Sequence, residues 1–128
     1  MRESIFKIID NAPLTETVYK MKLQGDVSDI TSSGQFVNIK LDSLYLRRPI
    51  SVCDCEGDVL TLIYKVVGKG TEQMAKMTEG KLDVLTQLGN GYDLSLAGDK
   101  PLLIGGGVGV PPMYMLAKEL RNLNKEVS

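Results

Sequence analysis

Val59-Leu60-Thr61-Leu62-Ile63-Tyr64-Lys65-Val66 sets Leu60, Leu62, Tyr64 and Val66 on one side of an extended chain and Thr61, Ile63 and Lys65 on the other. A period of two over eight residues is the signature of a strand with one face in a core. Working outward, comparable runs occur at Ile5 to Ile9, Thr17 to Leu23, Gln35 to Leu41, Ile50 to Cys53 and Leu82 to Thr86. Gly, Pro, Asp and Ser separate them, the spacing of an antiparallel sandwich or barrel. Six such strands suffice for a small closed barrel, which leaves no edge exposed.

Beyond the strands the pattern changes. Thr71-Glu72-Gln73-Met74-Ala75-Lys76-Met77 predicts a short helix with Thr71 as its N-cap, ending near Gly80. After Gly98-Asp99-Lys100, the run Pro101-Leu102-Leu103-Ile104 reads as a buried strand leading into a glycine cluster. Met113, Leu116, Ala117 and Leu120 then recur at helical spacing, with the helix expected to end near Asn122 to Asn124. Lys125-Glu126-Val127-Ser128 resembles the approach to another strand. One parallel strand and one helix do not close a unit, because a parallel partner must return by a crossover. The expected organisation is therefore a barrel domain over 1–97 and the start of an α/β domain over 98–128, in a chain truncated at its C-terminal side.

Composition narrows the chemistry. The chain has 128 residues, 43% hydrophobic and 24% charged, as an ordinary globular domain does. Fifteen basic and sixteen acidic residues leave a net charge of −1, so nothing draws the whole surface to nucleic acid or anionic membrane. No run approaches membrane-spanning length, and Met1 to Lys7 has no signal-peptide core. Histidine is absent, which removes the commonest general base and metal ligand and every Ser-His or Cys-His nucleophile. Cys53 and Cys55 cannot by themselves assemble a tetrahedral zinc site or a four-cysteine iron–sulfur cluster. One residue apart on a strand, they are expected on one face, as reduced thiols of a cytoplasmic protein.

Arg48-Pro49-Ile50-Ser51 offers a fixed cation, a rigid backbone step and, three residues on, a hydroxyl, spaced for separate parts of one extended ligand. The planar fork of arginine matches a pyrophosphate. The plainer alternative is that Arg47 and Arg48 are a solvated pair before an edge-strand proline. Tyr64 is either a core aromatic or a stacking platform for a flavin or adenine ring. Gly68-Lys69-Gly70-Thr71 is either a flexible turn or a set of N–H groups presented to phosphate. Gly105-Gly106-Gly107-Val108-Gly109-Val110-Pro111-Pro112 joins a strand to a helix, where glycine-rich loops bind dinucleotide phosphates. The frame is imperfect: begun at Gly105 it ends on Val110, and begun at Gly107 it ends on Pro112. Leu88-Gly89-Asn90-Gly91 marks a turn after the sixth strand.

Together with Gly34-Gln35-Phe36, these segments, in this order and over the whole chain, resemble the ferredoxin reductase-like superfamily of flavin and nicotinamide oxidoreductases. Within it the sequence is similar to the family of electron-transfer subunits of type B dihydroorotate dehydrogenases. The resemblance implies a mainly β fold, a six-stranded antiparallel Greek-key barrel with one short helix, followed by the first strand and helix of an incomplete α/β nucleotide-binding domain. It implies that Arg48, Pro49, Ile50 and Ser51 line FAD, with Arg48 on phosphate and Ser51 near the isoalloxazine. Ile63, Tyr64, Lys65, Gly70 and Thr71 would complete that site, and Gly105, Gly106, Gly107 and Gly109 would meet NAD. The family's [2Fe–2S] centre is held by a C-terminal cysteine cluster that nothing here matches.

By the same resemblance, electrons from dihydroorotate leave the FMN of a partner catalytic subunit, cross the iron–sulfur centre to FAD and pass as hydride to NAD+, in pyrimidine biosynthesis. No acid or base residue is required of this chain, in keeping with its lack of histidine. Two other readings remain open at this stage. One is the reductase subunit of a hydrogenase or ferredoxin-linked complex. The other is a non-catalytic β-barrel binding module in which Arg47, Arg48 and Lys69 are surface charges.

Overall fold

The computed structural model describes residues 2–41 and 46–128, with Val108 described by its backbone alone. The six strands are β1 (Arg2–Pro13), β2 (Val18–Gln24), β3 (Phe36–Ile39), β4 (Arg48–Glu56), β5 (Val59–Lys65) and β6 (Lys81–Leu88). They pair antiparallel in the order β1-β2-β5-β4-β3-β6 and close into a barrel. β3, β4 and β5 are consecutive neighbours and β6 returns beside β3, which makes the connection a Greek key.

The alternation of β5 is the alternation of the barrel wall. Leu60 and Leu62 are fully buried and Tyr64 nearly so, facing Leu23, Met21 and Tyr19 across the β2 ladder. Phe6, Val37, Ile39, Val52 and Val84 complete the fully buried interior. β4 and β5 meet at Gly57-Asp58, where Gly57 takes φ +60, the first central position of a type II′ hairpin turn.

β4 contains a bulge that reverses one expectation. The register slips between Val52 and Asp54, so Val52 and Cys53 are both buried although adjacent in sequence. Beyond the bulge the phase is inverted: Cys55 pairs with Leu60 and packs on the core, while Cys53 lies outside, beside Lys20, Lys22, Thr61 and Tyr114. The two thiols are free and on opposite faces of β4, not on one.

Helix α1 (Lys69–Ala75) runs between β5 and β6 and places Met74 in the barrel core. Its N-cap is Gly68, and Thr71 sits inside the first turn. Thr71 still secures that end, because its Oγ1 accepts from the N–H groups of Val67 at 2.9 Å and Gly68 at 3.2 Å.

Helix α2 (Val110–Asn122) buries Leu116 and Leu120, with Met113 and Ala117 half-buried, and packs on β4. Lys118 Nζ reaches Asp54 at 2.9 Å and Glu56 at 2.6 Å, and these two carboxylates, Glu56 first, push its pKa up. On the next residue, Glu119 accepts from the N–H and hydroxyl of Ser33 at 2.8 and 2.9 Å. Between Leu96 and α2 the chain departs from expectation. Leu102 and Ile104 are exposed, at 68% and 83%, so Pro101 to Ile104 is not a buried strand. It does make parallel-type bonds to residues 126–128: Ser128 N–H to Pro101 O at 3.0 Å and Leu103 N–H to Ser128 O at 2.7 Å. No helix among the described residues is long and apolar enough to cross a membrane.

Candidate functional site

The β4 and β5 segments singled out in the sequence converge on one cavity of about 540 Å³. Arg48, Pro49, Ile50 and Ser51 form one wall and Ile63, Tyr64 and Lys65 the next; Val67 and Thr71 close the side at α1, and Gly107 reaches in from the glycine loop. That size is ordinary for a cofactor or small-molecule cleft. Arg48 and Lys65 are cations and, among the described residues, no carboxylate lines the space, so its electrostatics favour an anionic ligand.

The two adjacent arginines have separate fates. Arg47 donates to Glu3 at 2.6 Å, to the Asp83 carboxylate at 3.1 Å and to the carbonyls of Asn38 and Asp83. It ties β1, β3 and β6 together and is neither solvated nor at the cavity. Arg48 donates through Nη1 to the Leu46 carbonyl at 2.9 Å, and among the described residues no carboxylate pairs with it. Its aliphatic stem crosses Gly70: a Cβ on Gly70 would run into Arg48 Nε and sit 3.0 Å from its Cγ and Cδ. Gly70 is buried beneath the arginine and acts through it, without lining the cavity itself.

Tyr64 borders the cavity but is 2% exposed, and its ring stacks on Tyr19 at 5.9 Å between centroids. In this conformation almost none of the ring is open to a ligand. Its hydroxyl donates to Asn11 Oδ1 at 2.9 Å, and burial pushes its pKa up to about 12. Of the glycines in the loop, Gly107 is the one among the described residues that lines the cavity. Gly105 instead packs on the start of α2, where a Cβ would lie 3.1 Å from Gly109 O and Val110 Cα; Gly106 and Gly109 line neither this cavity nor the space beside it. A smaller adjoining space of about 200 Å³ brings in Thr17, Val18 and Pro111, none of them marked by the sequence reading. Pro111 had a signal, since proline in a first helical turn follows such loops. Thr17 and Asn11 had none, because their place depends on how β1 and β2 wrap the barrel.

The residues present do not fit an iron–sulfur centre. Cys53 and Cys55 face away from each other across β4, and no group of three or more potential metal ligands occurs among the described residues.

No protein-family model matches the chain. It is 41% identical over 98% of its length to the electron transfer subunit of dihydroorotate dehydrogenase B (NAD(+)) of Enterococcus faecalis, of which it covers 51%. The subunit of the same name from Fusobacterium nucleatum is 44% identical over 86% of the chain, and that from Listeria monocytogenes 40% over all of it. The chain spans about half the length of these curated relatives. Among solved structures, a Neisseria gonorrhoeae ferredoxin NADP+ reductase with bound FAD and NADP superposes with TM-score 0.82 at 18% identity, over 99% of this chain and 56% of the other. Phthalate dioxygenase reductase superposes with TM-score 0.79 at 17% identity, over 98% and 41%. The chain is thus a homologue of dihydroorotate dehydrogenase B electron transfer subunits over about half their length, folded as a ferredoxin reductase-type barrel.

Proposed function

We propose that the cavity between β4, β5 and α1 binds FAD, and that the chain serves an NAD-linked dihydroorotate dehydrogenase as the electron-transfer subunit, taking electrons derived from dihydroorotate in a partner FMN-containing catalytic subunit. The single observation that carries the reading is the gathering of Arg48, Ser51, Lys65 and Thr71 around one space that no carboxylate among the described residues lines, with the Arg48 stem lying over Gly70.

Arg48 would hold the pyrophosphate through its guanidinium donors, and Thr71, fixed in the first turn of α1, lines the same cavity. Ser51, exposed on β4, would be the hydroxyl at the isoalloxazine end, and Pro49, Ile50 and Ile63 would give that end apolar walls. Tyr64, on β5 and almost wholly buried, backs the cavity wall, and Lys65 adds a second positive charge. The flavin supplies the redox chemistry, exchanging electrons singly or in pairs as its partners require. No residue of this chain has to move a proton, in keeping with the absence of histidine.

Residues 98–128 belong, in this reading, to the opening of a nicotinamide-binding α/β domain. The approach of NAD along the glycine loop is supported by Gly107, which lines the cavity, with Gly105, Gly106 and Gly109 shaping the turn into α2. A cytoplasmic setting suits two unbridged thiols. The test is a titration of FAD with the purified chain, followed by quenching of flavin fluorescence. Saturable one-to-one binding and a yellow protein are expected; absence of binding by protein shown to be folded would overturn the proposal.

A further inference from the structure

The wall of the cavity formed by α1 is held by a residue outside it. Asn11, on β1, points its amide at the last turn of α1: Nδ2 donates to the carbonyls of Met74 at 2.7 Å and Met77 at 2.8 Å. Those two acceptors require the NH2 group, which leaves Oδ1 to accept from the Tyr64 hydroxyl at 2.9 Å. One half-buried amide therefore joins the end of the helix that carries Gly70 and Thr71 to the buried tyrosine of β5.

Helix α1 has reason to need it. A helix of seven residues is too short to be stable alone, its last turn holds no basic residue, and its last carbonyls, Gln73 and Met74, accept from the N–H groups of Lys76 and Met77 only at 3.2 and 3.1 Å. Met74, buried in the core, anchors its C-terminal end, and the Asn11 bonds add a polar tie there across more than sixty residues of sequence. Tyr64 stays a donor through the neutral range, since burial raises its pKa to about 12. The register of α1 fixes where Thr71 stands and where the Arg48 stem can lie over Gly70.

We propose that Asn11 is a positioning residue for the cavity, clamping helix α1 against Tyr64 so that Thr71 and the Arg48 side chain lying over Gly70 present one preformed phosphate-binding wall. The inference rests on the flavin reading for the identity of the phosphate, but the clamp itself is tested without any ligand. Hydrogen exchange is compared in wild type, Asn11→Ala, Asn11→Asp and Tyr64→Phe. Amides of residues 72–77 should exchange at least tenfold faster in Asn11→Ala and Asn11→Asp while those of β6 do not change, and Tyr64→Phe, which leaves both helix carbonyls bonded, should show a much smaller effect. Unchanged exchange in α1 of Asn11→Ala, or an equal increase throughout the barrel, overturns the assignment.

A second arm measures FAD and riboflavin binding by the same variants. Asn11→Ala should raise the Kd for FAD about tenfold and leave that for riboflavin, which lacks phosphate, within twofold. Equal weakening of both ligands would make Asn11 a general structural residue and overturn its positioning role. If wild-type protein binds neither ligand, the flavin reading falls, and the exchange arm alone decides the clamp.

Discussion

The barrel and the segment after Gly98 are built by opposite means. Every strand of the barrel has a hydrogen-bonded neighbour on both sides, and its interior is filled by residues with no exposure at all. The later segment leans on the barrel through one helix, with Leu116 and Leu120 buried and Lys118 and Glu119 bonded to Asp54, Glu56 and Ser33. Its extended run beside residues 126–128 keeps Leu102 and Ile104 in solvent. A closed sheet thus supplies its own stability and positions the cavity, whereas the glycine loop takes its place from α2. Function should be separable along the same line: anion binding with the barrel, nicotinamide approach with the segment after it.

The largest effect should come from the barrel interior. Leu60 is fully buried on β5, and Leu60→Ala removes most of its side chain from a wall that cannot collapse around the gap. A loss of about 2–5 kcal/mol in urea denaturation is expected. A loss below about 1 kcal/mol would mean that the barrel is not the self-sufficient unit of the pair.

Next in size is the division of labour between Arg47 and Arg48. Arg48→Ala should weaken FAD by about 1.5–3 kcal/mol, the worth of a charge-assisted hydrogen bond, and leave the denaturation midpoint nearly unchanged. Arg47→Ala should do the reverse, since it strips Glu3 and Asp83 of their shared cation and leaves the cavity intact. Equal losses of FAD affinity at the two positions would break the assignment of the phosphate wall.

A third effect appears in alkali. Tyr64 is protonated in the folded barrel up to about pH 12, whereas an unfolded tyrosine loses its proton near its ordinary value of about 10. The native state therefore holds the extra proton between those values, and stability is whole below pH 10 and falls as pH rises toward 12. The slope contributed by this residue should be about 1.4 kcal/mol per pH unit. In Tyr64→Phe that part of the slope should vanish; an unchanged slope would place the alkaline transition elsewhere.

What the sequence disclosed follows the same partition. Period-two patterning located all six strands, because a closed barrel forces alternation on every one, and Arg48 to Ser51 with Ile63 to Lys65 came together as their places on neighbouring strands require. The facing of Cys53 and Cys55 was misread because a bulge at Val52 to Asp54 leaves no mark in residue type. Thr71 was placed at the cap because threonine serves either side of a helix start, and Gly68 took the position instead. Asn11 could not be found at all, since its partners lie 53 to 66 residues away and only the closed sheet brings them near.

The smallest effect is expected where the chain is least buried. At 68% and 83% exposure, Leu102 and Ile104 give up little on substitution, so the pair Leu102→Ser and Ile104→Ser should shift folding stability by no more than about 0.5 kcal/mol. Their cost is colloidal: with Leu96 and Leu123, also exposed, they leave apolar groups in solvent on the segment after β6. Sedimentation of the 128-residue chain at rising concentration should show self-association that the double variant reduces, with an unchanged denaturation midpoint. A midpoint that drops by several kcal/mol equivalents would mean that these side chains pack into the barrel's cooperative unit, and the contrast between a self-supporting barrel and a leaning segment would not hold.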